Sequence, residues 1–377
     1  MDSIYCFYRI VNKNNLLSDT IRKIFLWGDD MLRKLMCLMI ILSMVLVLIS
    51  AAAFAEEKRE FTDSLGRTVA LPEKVERIAL SGPLTQIYAF PLCPELLVGF
   101  SKAFSADAEK YIPEEYISLP ELGQLYGGKG TMNLEALLAA APDVVIDIGG
   151  AKSGMAEDFD GLSEQTGIPF VHIDASISTA PEAYRQLGRL LGDSGKAEQL
   201  AAWCEKTLAD ITGIMEKVDA DGARKSVVYC LGPKGLNVLA NGSFHAEIVS
   251  MVAENAAVLD NVVSNGDGNE IDMEQLIMWD PDVILFQHNS IYDEVENSDI
   301  WKQLGAVSRG DFYKIPCGPY GWISSPPAVQ CYLGMLWLTD TLYPDYVDFD
   351  LKAKVMDYYK LFYGFDMTDA DYSELVG

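Results

Sequence analysis

Histidine is scarce in this 377-residue chain, which has only three: His172, His245 and His288. None lies in an H-x-x-x-H or H-E-x-x-H arrangement, so a zinc site built on one helix face is excluded. Positive charge is also scarce. Lys and Arg total 29 against 55 Asp and Glu, a formal net charge of -26. Nucleic acid, whose phosphates require a basic face, is thereby excluded as a partner. Seven cysteines are present, none in C-x-x-C spacing. The five beyond residue 55 (Cys93, Cys204, Cys230, Cys317, Cys331) form no disulfide framework and read as buried thiols. The chain also lacks G-x-S-x-G, a P-loop, and a G-x-G-x-x-G turn after a strand. The stretch Gly127-Gly-Lys-Gly130 follows no strand and has the wrong spacing for a phosphate cradle. No enzyme is expected, and a two-lobed metal-cofactor enzyme is kept only as a remote alternative.

What is present is ample apolar material. Half of the residues are hydrophobic and 22% are charged, a balance that favours a folded globule. One apolar run is set apart. Arg33 and Lys34 precede a nearly unbroken hydrophobic stretch from Leu35 to Ser50. Ala51-Ala-Ala-Phe-Ala55 follows, with small residues at Ala53 and Ala55, and then the polar Glu56. This is the three-part layout of a secretory signal peptide, and cleavage is expected after Ala55. Retention as an anchor is the alternative, although the run is short for a membrane span of about 20 residues. Residues 1–30 precede the basic start, so Met31 is an alternative first residue. Cys37 lies inside the run, too early for lipid attachment. An exported protein at the periplasmic or extracellular face of the cytoplasmic membrane is expected.

The chain repeats itself once. Asn133-Leu-Glu-Ala-Leu-Leu-Ala-Ala-Ala-Pro-Asp-Val-Val-Ile146 returns 139 residues later as Asp272-Met-Glu-Gln-Leu-Ile-Met-Trp-Asp-Pro-Asp-Val-Ile-Leu285. Each copy reads as a short helix opened by a polar cap, stopped before a proline, and followed by a buried strand. Copies at this spacing imply two similarly built lobes, because a solenoid repeats every 20–50 residues. Strands are expected at 77–80, 97–100, 144–147 and 170–173 in the first lobe. In the second they are expected at 226–230, 235–239, 283–286 and 312–315. The fold class is α/β, with two lobes of mostly parallel sheet flanked by helices and a ligand cleft between them. The divisions are 1–55 for the extension and signal, 56–180 for the first lobe, 181–218 for a linking helical segment and 219–377 for the second lobe. Within the link, Lys196–Val218 is amphipathic, with Leu200, Trp203, Leu208, Ile211 and Met215 on its apolar side. A single backbone helix predicts small hinge motion.

The phrase Thr62-Asp-Ser-Leu-Gly-Arg67, the following Pro72-Glu-Lys-Val-Glu-Arg-Ile78 and the doubled helix–Pro-Asp–strand unit together resemble a known family. It is that of the periplasmic binding proteins for iron-siderophore, haem and cobalamin, and the resemblance spans residues 60–375. It implies a monomer that captures an iron complex and delivers it to a dimeric ABC permease, with no cofactor of its own. The same resemblance implies that a glutamate from each lobe, Glu135 and Glu274, docks on basic permease residues. Two equivalent carboxylates on pseudo-symmetric lobes suit a two-fold partner. Read without the family, they are first-turn glutamates favoured by the helix dipole.

Ligands of open α/β sheets bind beyond the carboxyl ends of the strands. The loops expected there nominate Ser81, Tyr126, Lys129 and Lys152 in the first lobe, with Lys234, His288, Tyr320 and Trp322 in the second. Tyr320 and Trp322 stand in the Gly/Pro-rich Cys317-Gly-Pro-Tyr-Gly-Trp322 loop, where exposed aromatics would suit a flat or greasy ligand. They would equally pack beneath the loop. His288 or Tyr320 is the candidate for touching a metal, and convergent lysines would hold an anion. His172 reads as structural and His245 as a cap or packing residue. A molybdate- or tungstate-type oxyanion is the alternative ligand.

Overall fold

The computed structural model describes residues 34–35, 38–40, 58–126, 130–324 and 326–377. The chain divides into two compact units, 1–58 and 59–377, and the elements that build the site belong to the second. Most of the expected signal segment lies outside the described residues, as does Lys129. No helix among the described residues is long and apolar enough to cross a membrane.

The phrase carrying the family resemblance is a turn. Strands β1 (Lys58–Thr62) and β2 (Thr68–Pro72) form a two-stranded sheet around it. Buried Asp63 accepts from the backbone of Leu65 and Arg67 and from the Arg67 guanidinium. Gly66 adopts φ 78°, a conformation that most side chains avoid. Arg67 also reaches Asp160 and the Phe170 carbonyl, tying the turn to the first lobe.

The first lobe is a three-stranded parallel sheet of β3 (Ile78–Leu80), β4 (Val144–Gly149) and β5 (Phe170–Asp174), ordered β3-β4-β5. Helices α1 (Pro83–Leu92), α2 (Leu134–Ala140) and α3 (Met155–Thr166) accompany it. The expected strand at 97–100 is only an extended edge. Leu97 and Phe100 make single bridges, to Ile78 and Glu121. Pro94 precedes the segment, and Phe100 gives its amide to the carbonyl of Pro120, which has no N–H to return to a ladder.

Two helices, α4 (Ala180–Leu191) and α5 (Ser194–Ala220), carry the chain to the second lobe. The 27 residues of α5 would span about 40 Å at 1.5 Å per residue. Leu200, Cys204, Ile211, Met215 and Val218 recur at helical spacing on its buried side. Arg185 clamps α4 to α5 through Glu198 and Glu205. Gly188 allows the close approach, since a Cβ there would lie 2.4 Å from the Ala197 Cβ.

The second lobe pairs β11 (Phe312–Lys314), β10 (Val283–Phe286) and β6 (Ser226–Leu231) in parallel. Short β7 (Asn237–Val238) runs antiparallel to β6 and β9 (Asn269–Glu270), while β8 (Glu254–Asn255) pairs with β6. Helix α6 (Met273–Trp279) is the second copy of α2, and α7 (Cys331–Leu342) and α8 (Leu351–Tyr363) close the fold. One core runs through both lobes, taking in Val171 and Tyr184 of the first half and Leu285 and Tyr332 of the second. Each lobe keeps a smaller outer cluster, one including Leu137 and the other Leu276. Cys93, Cys204, Cys230 and Cys331 are buried, unpaired thiols, and burial raises the pKa of each.

Candidate functional site

In the first lobe the carboxyl ends of three strands are fixed by one buried polar chain. Ser81, just after β3, donates to the Asp147 carboxylate and lies 2.9 Å from the Thr85 hydroxyl. Thr85 in turn accepts the Ile148 amide. The other Asp147 oxygen is 2.8 Å from Nδ1 of His172 on β5. Serine and histidine thus flank one carboxylate and do not meet each other, so the serine has no imidazole beside it. Ser81 and His172 are 2% and 0% exposed. Ser81 is therefore committed to holding the strand ends together, contrary to the expectation that it faces a ligand.

Tyr126 and Lys152 are brought together. The lysine ammonium stands 4.2 Å from the tyrosine ring centroid, a cation–π arrangement. The Tyr126 hydroxyl donates to Asp158 on α3 at 3.3 Å. Burial, with the nearby carboxylates of Asp158 and Asp147, pushes this hydroxyl up to about 12. At neutral pH it is a donor and not a phenolate.

In the second lobe Lys234 follows β6 and His288 follows β10, both exposed. Gly235 places the Lys234 turn tightly on the body. It has φ 65°, and a Cβ there would meet Ile291 and Trp301 below 3 Å.

The aromatic loop differs most from expectation. Trp322 is 0% exposed and cannot present its ring to a ligand. Its amide bonds to the Pro316 carbonyl at 3.1 Å, turning the loop inward. Its own carbonyl lies where a Gly334 side chain would be, 2.2 Å from an added Cβ. Tyr320 is half-buried. Its hydroxyl accepts from Gln86 Nε2 at 3.2 Å and its ring lies 6.1 Å from that of Phe104. Burial raises the Tyr320 pKa.

Sequence reasoning missed Gln86, whose signal as a buried polar residue in an apolar helix was available. It also gave His245 no polar partner. His245 Nδ1 is 2.9 Å from the Ser324 hydroxyl, and burial lowers its pKa. A cavity of about 520 Å³ joins Ser176 of the first lobe to Asn241, Ser243, Phe244 and Glu247 of the second. A groove of about 570 Å³ runs between α4 and α5 from Ser178 and Thr179, in the loop after β5, and is flanked by Glu182, Glu205 and Glu216. Among the described residues, no three His, Cys, Asp or Glu side chains converge as a metal cage.

Residues 95–317 match the family model described as periplasmic binding protein. The chain is 25% identical to the molybdate-binding protein MolA of Haemophilus influenzae, over 85% of this chain and 95% of that protein. It is 22% identical to the Fe(3+)-citrate-binding protein YfmC of Bacillus subtilis, over 70% and 80% of the two chains. Among solved structures, an ABC transporter solute-binding protein from Sulfurospirillum deleyianum is 28% identical with a TM-score of 0.76. That match covers 84% of this chain and 98% of the other.

Proposed function

This chain belongs to the periplasmic binding protein family and is the substrate-binding component of an ABC transporter; from that premise we propose that its ligand is a small oxyanion of the molybdate or tungstate type. Such proteins work with a permease and an ATPase, and they carry a ligand but no cofactor of their own. The observation that carries the proposal is the burial of Trp322 together with the engagement of the Tyr320 hydroxyl. With Trp322 buried, the 316–324 loop offers a macrocycle no ring but that of the half-buried Tyr320. The polar side chains on the strand-end loops are instead donors: Lys152, Lys234, His288 and the Tyr126 hydroxyl. Lysine ammoniums on strand-end loops of both lobes, in a chain of net charge -26, suit a compact anion. MolA, alike over most of both lengths, is described as binding molybdate.

A ferric carboxylate complex is the second reading, favoured by the likeness to YfmC. It too is an anion and would use the same lysines. To ligate iron, the Tyr126 hydroxyl would have to give up its bond to Asp158. The wider proposal is an exported monomer, its leader ending at Ala55, with lobes 56–180 and 219–377 around the link. It would meet the permease through Glu135 and Glu274, which are exposed in the first turns of matched helices.

Calorimetric titration of the purified protein with molybdate, tungstate, sulfate, ferric citrate and haemin tests the ligand. Molybdate and tungstate are expected to bind, and Lys152→Ala or Lys234→Ala to weaken them about tenfold each. Binding of haemin without molybdate would refute the oxyanion. Binding of ferric citrate alone would establish the second reading. Glu135→Ala with Glu274→Ala should lower uptake while leaving ligand affinity unchanged.

A further inference from the structure

The two copies of the repeat match beyond their sequence. Residues 133–140 and 272–279 share one pattern of exposure, position for position. Asn133 accepts from the Glu135 and Ala136 amides, and Asp272 accepts from that of Gln275. Leu137 and Leu276 are fully buried and pin each helix to its lobe. Each helix ends in a residue that is not glycine yet has left-handed backbone, Ala141 at φ 44° and Asp280 at φ 40°. Two residues on, Asp143 accepts from the amides of Glu76 and Arg77, and Asp282 accepts from the amide and hydroxyl of Ser226. Both helices are therefore capped and tied to neighbouring chain at the strand that follows.

On these fixed mounts stand exposed apolar side chains. Leu138 is 49% exposed, and its counterpart Ile277 is 38% exposed. Met278, beside Ile277, is 72% exposed. Each of the matched pair lies three positions after Glu135 or Glu274, which places acid and apolar group on one helix face. Neither glutamate makes an ion pair among the described residues. Single exposed apolar residues are ordinary, but a matched pair 139 residues apart, each beside a matched acid, is not explained by chance exposure.

We infer that Leu138 and Ile277, with Met278, are the apolar half of a two-part docking surface. The partner they fit is two copies of one membrane permease subunit, each offering a cation next to an apolar socket. Charge selects this occupant: the glutamates and the net charge of -26 oppose a second copy of the same chain and favour a basic face. The acids would set approach and orientation, and the apolar groups, desolvated on contact, would set the lifetime of the complex. This inference rests on the proposed docking by Glu135 and Glu274.

Binding of the purified protein to its cognate permease–ATPase complex in nanodiscs, read as Kd across a salt series, tests it. Leu138→Ser with Ile277→Ser should weaken docking about tenfold or more, mostly through faster dissociation, and leave the salt dependence intact. Glu135→Ala with Glu274→Ala should weaken docking and flatten the salt dependence. Loss with the glutamate pair but not the apolar pair overturns the inference and spares the docking reading. Loss with neither overturns both. A wild-type dimer in sedimentation that Leu138→Ser with Ile277→Ser dissolves would assign the patch to self-association and overturn the inference. A lowered melting temperature with unchanged Kd would make the two side chains structural and overturn it likewise.

Discussion

Gln86 donates to the Tyr320 hydroxyl at 3.2 Å, so a helix of the first lobe holds a loop of the second by one buried amide. The same side chain accepts from the amide and hydroxyl of Ser101 and from the amide of Lys102. Gln86 is thus the junction of three segments near the strand ends. Tyr320→Phe removes one neutral hydrogen bond and should cost about 1 kcal/mol in urea unfolding. Gln86→Leu also strands the Ser101 and Lys102 donors and should cost roughly 2–4 kcal/mol. Equal losses from the two variants would contradict this assignment.

Asp147 serves two buried partners, Ser81 and His172; its removal leaves Ser81 only the Thr85 hydroxyl and takes the carboxylate from His172 Nδ1. Asp147→Ala should lower stability by roughly 2–5 kcal/mol. Asp147→Asn keeps the shape and one acceptor, so its loss should be smaller. The comparison is read from denaturant midpoints at constant m-value.

His245 gives a pH signature of known sign. Burial holds its folded pKa below the ordinary 6.5. The unfolded chain therefore binds the proton more readily, and this residue's contribution is lost as pH falls through 6.5 towards the folded value. His245→Asn removes that term. The stability gap between wild type and variant should shift against wild type between pH 7.5 and pH 5.5. A gap independent of pH would contradict the burial of the imidazole.

Two glycine substitutions should act with opposite signs. Gly334→Ala places a methyl 2.2 Å from the Trp322 carbonyl and should cost about 3 kcal/mol. Gly213→Ala, inside α5 with open space around it, should stabilise by about 0.5–1 kcal/mol. Melting temperatures of the two variants against wild type decide both.

The parts of this fold that the sequence made legible are those written in local pattern. The helix–Pro-Asp–strand unit was readable because cap, proline and β-branched run lie within fourteen residues, and its second copy supplied an internal check. The long helix was readable from Leu200, Ile211 and Met215 at helical spacing. What escaped was decided across distance. Trp322 sits in a loop whose composition allows exposure, and the opening that takes its backbone is made by Gly334, on a helix the loop only later enters. The 97–100 segment has a strand's residues but finds only single bridges. Leu138 and Ile277 were visible in the repeat, yet a hydrophobic residue in an amphipathic helix reads as core until its exposure is known.

One consequence follows from the continuous core and the clamped α4–α5 pair. A carrier whose halves share an interior is expected to swing little, so its outline would differ little between full and empty. An importer meeting it has scant means of telling freight from an empty container. Unladen copies would then occupy the entrance about as often as laden ones. When cargo is limiting, making more of the carrier should slow delivery, and the best supply rate should fall at an intermediate abundance.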